Sequence, residues 1–320
     1  MKLVSYETAA GPRAGVIVDD RVVDAASLVP ADRPLRDVRD LLEEPDDPLD
    51  RLREALAARA GAAPSVALAE TRLLAPVLQP PTVRDFYDFE AHAGRGARSR
   101  GGELDEAWFR LPIFYFSNPL KIAGPDAPIP FPDASSLLDY ELELACVIGK
   151  EGVDVAESDG LDHIAGFTIL NDWSARDLQR DEMKIRLGPA KGKDAATSLG
   201  PWVVTTDELK PYIVDGRLNV HCTLTVNGEQ WMDGSGGTMH HTWGQFIQRA
   251  SKDSRIVPGD VFGSGTVGGG TVGEARDNGY DARYLEPGDE VALTVEGIGT
   301  LRNTLVPAER PDPDYPFRAP

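Results

Sequence analysis

Apolar and polar residues alternate along residues 137–149, LLDYELELACVIG, with the period of a β-strand. The apolar positions that share one predicted face are Leu138, Tyr140, Leu142, Leu144, Cys146 and Ile148. Asp139, Glu141 and Glu143 alternate with them, so three carboxylates project from the other face at a spacing of about 7 Å. This pattern fits either a solvated acidic face or a metal site. Because the flanking runs are strongly apolar, we favour the metal site.

The first 78 residues show a different pattern from the rest of the chain. We predict a strand over 2–6, a strand pair with a tight turn at Asp19-Asp20 over 15–25, and helices over 34–44 and 47–61. The sequence Gln79-Pro80-Pro81 is then typical of a linker. Residues 1–78 are therefore predicted to form a small N-terminal α+β domain.

Short strand-like runs, separated by glycine and proline turns, make up most of the chain beyond Pro81. They predict a mostly β domain over residues 79–308, with Val226-Asn227-Gly228-Glu229 as a hairpin. An extended, proline-rich tail is predicted for residues 309–320. Residues 91–106 lack an apolar period, and we expect them to form a loop that closes over a substrate.

Composition narrows the class of partner. The formal net charge is −19, from 33 basic and 52 acidic residues, which argues against nucleic acid or an anionic membrane as partner. The sequence has no apolar run of membrane-spanning length and no signal-peptide pattern at its start. Cys146 and Cys222 both lie in apolar runs, so we expect reduced, buried thiols in a cytoplasmic protein.

Asp172 adds a further carboxylate, at the point where a predicted strand over 163–170 turns into a helix. It has two interpretations: an acid that caps the helix, or a ligand that joins Glu141 and Glu143 in an all-oxygen site suited to Mg²⁺ or Ca²⁺. The spacing of Ser174 and Asp177 predicts a capping box at the start of this helix.

Three side chains elsewhere in the predicted catalytic domain have both a structural and a chemical interpretation. Arg176, which shares a helix face with Gln179, is either a surface ion-pair partner or a contact for an anionic substrate. Lys193 lies in a glycine-broken loop and is either solvated or placed to stabilise an enolate or oxyanion. His92 is either a surface histidine or a general base.

The glycine-rich string over residues 263–273 contains the spacing G-x-G-x-x-G. We do not interpret it as a dinucleotide site, because no helix is predicted after it and no strand–helix–strand unit surrounds it. These glycines are more typical of a backbone that approaches a ligand closely or lines a tight barrel rim.

The motifs E-x-E, NDWSARDLQ, LGPAKGKD and SGTVGGG occur in this order, and together they resemble the fumarylacetoacetate hydrolase superfamily over about residues 82–305. The resemblance implies a mixed β-roll, barrel-like catalytic domain behind the small N-terminal domain. It also implies a Mg²⁺ cofactor (Mn²⁺ or Ca²⁺ in some members), a small-molecule keto acid as substrate, and a homodimer.

The resemblance further implies roles for individual residues. Those expected near the metal are Glu141, Glu143, Asp172, Asp85 and Thr197. Those expected to be catalytic are His92, as the base that activates water, Glu274, which orients it, and Lys193. Those expected to contact substrate are Arg176, Gln179, Tyr87, Tyr115 and Thr266. Two positions depart from the family pattern: Met183 replaces a substrate-contacting tyrosine, and Asn118-Pro119 replaces a lysine-proline.

The sequence leaves three hypotheses of function open. The first is a Mg²⁺-dependent hydrolase that cleaves a C–C bond in a 1,3-diketo or acylpyruvate-type acid. The second is a decarboxylase, hydratase or isomerase of 2-oxo acids, or a sugar-acid dehydratase, which needs the same metal-stabilised enolate. The third is a non-enzymatic binding protein on the same fold, against which the full acidic set and Lys193 argue.

Overall fold

A large mixed β-sheet is the main layer of the molecule. The computed structural model describes residues 1–59 and 63–318, and twelve strands of those residues form this one sheet. Across the sheet its main strands are Ser65–Ala67, Arg21–Asp24, Gly11–Val18, Lys2–Thr8, Thr197–Thr205, Ile164–Asp172, Leu142–Ile148, Val261–Thr266, Val83–Phe86 and Phe114–Ser117. Leu73–Leu74 pairs with the strand Lys2–Thr8, and Ile122–Ala123 pairs with Thr197–Thr205.

A second sheet of five strands shares a core with the first. Its strands, in order, are Glu229–Ser235, His221–Val226, Glu290–Val295, Gly299–Val306 and Pro128–Pro130. Three further two-stranded pairs join Leu138–Asp139 to Ser174–Ala175, Gly152–Val153 to Arg255–Ile256, and Ile213–Val214 to Arg217–Leu218. The predicted α+β, mostly β fold is confirmed. The roll is open, since neither sheet closes into a barrel within the described ranges.

The helices are short. Those of the described residues are Val38–Leu42, Pro48–Arg59, Glu90–Ser99, Glu106–Arg110, Arg176–Ile185, Thr206–Leu209, Trp243–Ser251 and Val272–Asp277. The first two lie in the segments where helices are predicted, although the end of the 47–61 prediction falls outside the described residues. In the part of the chain that the structure describes, no helix has the length and apolarity needed to cross a membrane.

The N-terminal segment contributes strands to the large sheet. Lys2 pairs with Val204 and Leu3 with Val203, so strand Lys2–Thr8 continues the sheet beyond Thr197–Thr205. A domain boundary near residue 78 therefore falls within one continuous sheet, and the boundaries at 78 and 308 stay predictions. Residues 309–318 of the predicted tail form no helix or strand, and 319–320 lie outside the described residues.

Strand Leu142–Ile148 separates two hydrophobic cores. Leu144 and Cys146 face the core between the two sheets, whereas Ala145 and Val147 face the core under the N-terminal helices. The alternation seen in the sequence is therefore correct, but both faces are covered. Every residue of this strand is buried, which excludes the interpretation of a solvated acidic face.

Local turn chemistry explains several of the connections. Asn227 and Gly228 both have positive φ, and the flanking Val226 and Glu229 pair, which is the geometry of the predicted two-residue hairpin. Asp19 also has positive φ in the turn that joins Gly11–Val18 to Arg21–Asp24. The predicted hairpins at both places are confirmed.

Two predicted elements differ from the structure. The single strand over 137–149 is interrupted between Asp139 and Leu142, because Leu138–Asp139 leaves the large sheet to pair with Ser174–Ala175. The loop predicted over 91–106 contains the helix Glu90–Ser99 and the start of Glu106–Arg110. The small residues Ala93, Gly94 and Ala97 form the buried side of the first helix, and they carry too little apolar signal to reveal a helical period.

Candidate active site

Three buried carboxylates converge from three strands of the large sheet. Asp85 lies on Val83–Phe86, Glu143 on Leu142–Ile148, and Asp172 at the end of Ile164–Asp172. One oxygen from each lies within 4.8 Å of the others. Pairing of Asp85 with Gly263 and of Glu143 with Thr266 and Leu170 fixes this convergence through the backbone ladder.

The donor set fits a divalent cation. Asp85 Oδ1, Glu143 Oε1 and Asp172 Oδ1 are buried and have no hydrogen-bond partner among the described residues. Burial and mutual repulsion raise the pKa of Asp85 and of Glu143 well above the usual range. Burying carboxylates without donors is costly unless a cation or protons neutralise them, and carboxylate oxygens are the ligands that Mg²⁺ and Ca²⁺ take.

Gly263 leaves room for two of these carboxylates. A Cβ at this position would lie 2.6 Å from Glu143 Oε2 and 2.9 Å from Asp85 Oδ1, closer than non-bonded atoms approach. Two residues on, the backbone N–H of Gly265 donates to Glu143 Oε2 at 3.1 Å. The glycine-rich string therefore brings backbone up to the site, as expected from the sequence.

Glu141 is held by two cations. Its Oε1 lies 2.7 Å from Arg176 Nη2, and its Oε2 accepts from Lys193 Nζ at 2.6 Å. Burial opposes ionisation of Glu141, but Lys193 and Arg176 outweigh it and lower its pKa. Glu141 thus stands beside the group of three carboxylates, and its role as a metal ligand stays a prediction.

Lys193 is buried and Arg176 is partly buried, and both form ion pairs with acidic residues of the site. Lys193 Nζ also donates to Asp172 and, at 2.7 Å, to Ser174 Oγ. Arg176 donates to Asp139 Oδ2 at 2.7 Å and to Gln179 Oε1 at 2.9 Å. Together the two cations balance part of the acidic charge that the fold has buried here.

His92 and Glu274 form a hydrogen-bonded pair. His92 Nδ1 lies 3.1 Å from Glu274 Oε2, and that oxygen also accepts from Thr271 Oγ at 2.9 Å. Thr271 in turn accepts from the backbone N–H of Glu274 at the start of helix Val272–Asp277. This short helix comes after the glycine-rich string, where the sequence predicted none, although no strand–helix–strand unit surrounds it.

A cavity of about 760 Å³ opens onto these groups. The predicted residues that line it are Asp85, Tyr87, His92, Tyr115, Glu141, Glu143, Asp172, Arg176, Gln179, Lys193 and Thr266. Tyr115 donates to Asp172 Oδ2 at 2.7 Å. Thr197 is buried next to the site, paired with Asp172 through the backbone, and its hydroxyl faces Ser117 at 3.5 Å. Its contact with a metal stays a prediction.

Sequence reasoning missed one wall of this cavity, formed by Arg180, Arg276 and Tyr284. Arg180 donates to the Tyr284 hydroxyl at 3.0 Å, and the Arg276 guanidinium lies 5.1 Å from the Tyr284 ring centroid. Neither arginine comes within 4.0 Å of an acidic oxygen of the described residues. Met183 lines the cavity near this wall. Arg180 lies one turn after Arg176 on the helix that follows NDWSARD, whereas Arg276 comes from helix Val272–Asp277 and donates to the carbonyl of Ala282 at 2.6 Å, so no local sequence pattern joins the two.

The predicted capping box at Ser174 and Asp177 is wrong. Helix Arg176–Ile185 begins without a side-chain cap, and Ser174 Oγ donates to the carbonyl of Asp172 instead. Asp177 accepts hydrogen bonds from Ser135 and Ser136 and, within its own helix, from the backbone N–H of Leu178 at 2.9 Å, not from the residues of a capping box. The partners that the capping-box spacing predicted are therefore absent at this helix start, within the described residues.

Comparison with known proteins identifies the family of the chain. Residues 82–306 match the family model described as fumarylacetoacetate (FAA) hydrolase C-terminal. Protein Rv2993c of Mycobacterium tuberculosis is 34% identical over 245 residues, which are 76% of this chain and 82% of that protein. The solved 5-carboxymethyl-2-hydroxymuconate delta-isomerase of Mycobacterium smegmatis is 28% identical, with a TM-score of 0.68 over 96% of this chain and 100% of that one.

Maleylpyruvate hydrolase of Sphingobium sp. SYK-6, solved with manganese (II) and pyruvate, has a TM-score of 0.72 at 22% identity. The match covers 97% of this chain and 100% of that one, and it shows a shared fold. The matched residues of the family model make up more than half of the chain. The chain therefore belongs to the fumarylacetoacetate hydrolase family.

Proposed function

We propose that the protein is a Mg²⁺-dependent hydrolase that cleaves a C–C bond in a 1,3-diketo or acylpyruvate-type acid. The observation that carries this proposal is the 3.1 Å contact from Glu274 to His92, which lines the same cavity as the three carboxylates with unpaired oxygens. Attack of water on a 1,3-diketone calls for a base, and a cation held in the same cavity would polarise the ketone oxygens.

Asp85, Glu143 and Asp172 are proposed to hold the metal ion. Glu141 is proposed as a fourth ligand, once Lys193 or Arg176 moves away from its carboxylate. Mg²⁺ is the proposed ion, with Mn²⁺ or Ca²⁺ as alternatives; the manganese and pyruvate in the maleylpyruvate hydrolase structure support a cation and a small keto acid. A bound cation would supply Lewis-acid polarisation of the substrate oxygens.

His92 is proposed to transfer the proton. Its Nδ1 faces Glu274, so Nε2 is the nitrogen that remains to accept a proton from water. The resulting hydroxide adds to the ketone carbon, the neighbouring C–C bond breaks, and the leaving carbon departs as an enolate. Protonated His92 then returns its proton to that enolate, which gives a carboxylic acid and a ketone.

The remaining predicted residues would stabilise charge and orient substrate. Lys193, Arg176 and Gln179 are proposed to stabilise the oxyanion and the enolate. Tyr87, Tyr115 and Thr266 are proposed to contact the substrate from the cavity wall.

The cavity wall formed by Arg180, Arg276 and Tyr284 supports a substrate with a second negative group. Arg180 and Arg276 lack acidic partners among the described residues, and both line the cavity. In a chain with a net charge of −19, two such arginines favour binding of a carboxylate at the end of the substrate that lies away from the cation site.

An isomerase or decarboxylase of 2-oxo acids is the second candidate. The 28% identical neighbour is described as an isomerase, and Met183 on the cavity wall replaces the tyrosine that fumarylacetoacetases use. Both alternatives would use the same cation site and enolate, so the fate of the C–C bond decides between them.

A homodimer in the cytoplasm is proposed as the form in which the protein acts. The edge strand Phe114–Ser117 and the loop after it expose large apolar side chains: Phe116 is 65% exposed and Leu120 is 72% exposed. A second copy of the chain is proposed to cover them.

The proposed activity is tested by incubating the protein with acetylpyruvate or fumarylacetoacetate and Mg²⁺, and identifying the products. We expect acetate plus pyruvate, or fumarate plus acetoacetate, and loss of both after His92→Ala. Decarboxylated or isomerised products from the wild-type protein would favour the second candidate. Unchanged cleavage by His92→Ala would contradict the role of the histidine.

A further inference from the structure

We propose that a second buried acid–histidine pair, Asp88 and His241, positions His92 for proton transfer. This inference rests on the proposed function, because it assigns a positioning role within that reaction. The pair does not line the cavity. Asp88 belongs to residues 87–89, the segment that joins the strand carrying Asp85 to the helix carrying His92, and His241 packs against it from a distant part of the chain.

Asp88 binds His241 through both carboxylate oxygens. Oδ1 lies 2.6 Å from His241 Nδ1, and Oδ2 accepts from the backbone N–H of His241 at 2.8 Å. Both residues are buried. His241 Nε2 has no hydrogen-bond partner among the described residues, so Asp88 supplies the hydrogen bond that orients this ring.

Further contacts tie the same segment to its surroundings. The carbonyl of Asp88 accepts from the backbone N–H of His240 at 3.0 Å, and the adjacent Phe89 forms a β-bridge with Met239. On the other side, the carbonyl of Tyr87 accepts from the Trp108 indole at 2.7 Å. The segment is therefore clamped between residues 239–241 and helix Glu106–Arg110.

The clamp acts on His92 more than on Asp85. Asp85 lies on a strand that pairs on both sides, with Val261–Thr266 and with Phe114–Ser117. His92 lies in the first turn of helix Glu90–Ser99, whose N-cap residue Phe89 makes no side-chain capping bond. The helix start therefore lacks a local side-chain cap, and the bond from Asp88 to His241 anchors the chain two residues before Glu90.

Three variants test the role: Asp88→Ala, the conservative Asp88→Asn, and Asp37→Ala as a matched control. Asp37 is also a buried carboxylate that accepts two hydrogen bonds, from the backbone N–H groups of Asp40 and Leu78, each at 2.9 Å. It does not line the cavity. A general loss of stability should therefore appear in both alanine variants.

The readout that does not depend on activity is the NMR spectrum of ¹⁵N-histidine-labelled protein. The sequence has five histidines, so loss of a signal in His92→Ala assigns that ring. We expect the His92 ring nitrogen signals to shift in Asp88→Ala, to shift less in Asp88→Asn, and to stay in place in Asp37→Ala. Unshifted His92 signals in both Asp88 variants would overturn the proposal.

Kinetics give the second readout, with acetylpyruvate or fumarylacetoacetate, whichever the wild-type protein cleaves faster. For Asp88→Ala we expect kcat to fall about 10- to 100-fold, with Mg²⁺ affinity by calorimetry within about twofold of wild type. Equal kcat in Asp88→Ala and Asp37→Ala would overturn the proposal.

If the wild-type protein cleaves neither substrate, the proposed function fails, and the NMR comparison still decides the positioning role. If Asp88→Ala does not fold, Asp88→Asn decides both readouts.

Discussion

His92 Nδ1 and Glu274 Oε2 lie 3.1 Å apart, although 182 residues separate them in the sequence. Burial opposes ionisation of Glu274, but His92 and the hydroxyl of Thr271 outweigh it and lower the pKa of this carboxyl. Glu274 is therefore a carboxylate that accepts the imidazole Nδ1–H, which leaves Nε2 free as a base. This orientation supports the proposed role of His92 as a general base.

Replacing Glu274 by glutamine should slow the reaction without loss of the cation. An amide N–H facing Nδ1 favours the tautomer that carries its proton on Nε2, and that nitrogen then cannot accept one. We expect kcat to fall about 10- to 100-fold for Glu274→Gln, and about 100- to 10,000-fold for His92→Ala. Steady-state kinetics with calorimetry of Mg²⁺ binding checks both. Wild-type kcat in Glu274→Gln would contradict the pairing.

Adding a methyl group at Gly263 should disturb the cation site directly. Its Cβ would meet Glu143 Oε2 at 2.6 Å and Asp85 Oδ1 at 2.9 Å, so both carboxylates must move. We expect Gly263→Ala to weaken Mg²⁺ binding by about 10- to 100-fold. Gly102→Ala is the matched control, since the nearest atom to its Cβ is 4.0 Å away. Equal Mg²⁺ affinity in the two variants would contradict the proposal that Glu143 and Asp85 bind the cation.

The stabilisation that Mg²⁺ gives should grow with pH. Burial and repulsion raise the pKa of Asp85 and Glu143, so the folded, metal-free protein holds protons that the unfolded chain releases above about pH 4. That contribution to stability is present below the unfolded pKa values and is lost as pH rises through the raised folded values. A bound cation takes the place of those protons.

Thermal unfolding with and without Mg²⁺, at about pH 6 and about pH 8, measures this effect. We expect a larger rise in Tm at the higher pH, and a smaller difference between the two pH values in Glu143→Gln. An equal rise at both pH values in the wild-type protein would mean that the carboxylates are already ionised without metal.

The wall of Arg180 and Arg276 should select substrates with a second carboxylate. Fumarylacetoacetate carries one at each end, whereas acetylpyruvate carries one in total. For Arg276→Gln we expect KM for fumarylacetoacetate to rise about 10-fold, the loss of one charged hydrogen bond, with KM for acetylpyruvate within about twofold. A similar rise in KM for both substrates would show that Arg276→Gln disturbs the fold and does not remove a contact to the second carboxylate.

Much of the site could be predicted from the sequence because its acids lie in strongly patterned strands. Glu143 and Asp172 belong to buried strands with a clear apolar period, and hairpins such as Asn227-Gly228 have local turn chemistry. Apolar periods and turn residues depend only on neighbours in sequence, so they can be recognised without the tertiary structure.

The rest depends on contacts between distant segments. Asp88 and His241 are 153 residues apart, and no local pattern marks either as a partner. The helix Glu90–Ser99 buries alanine and glycine, which give a weak hydrophobic period. Ser174 and Asp177 have the spacing of a cap, yet Ser135 and Ser136 compete for Asp177. Local rules fail where tertiary partners outcompete local ones.

The most direct test of the central claim is product analysis in ¹⁸O-labelled water with Mg²⁺-loaded protein and acetylpyruvate or fumarylacetoacetate. We predict that the C–C bond breaks and that one ¹⁸O atom enters the new carboxylate of acetate or fumarate. This product should disappear with a chelator and with His92→Ala. Turnover that releases CO₂, or that leaves the carbon skeleton intact without ¹⁸O, would contradict a hydrolase and identify the second candidate.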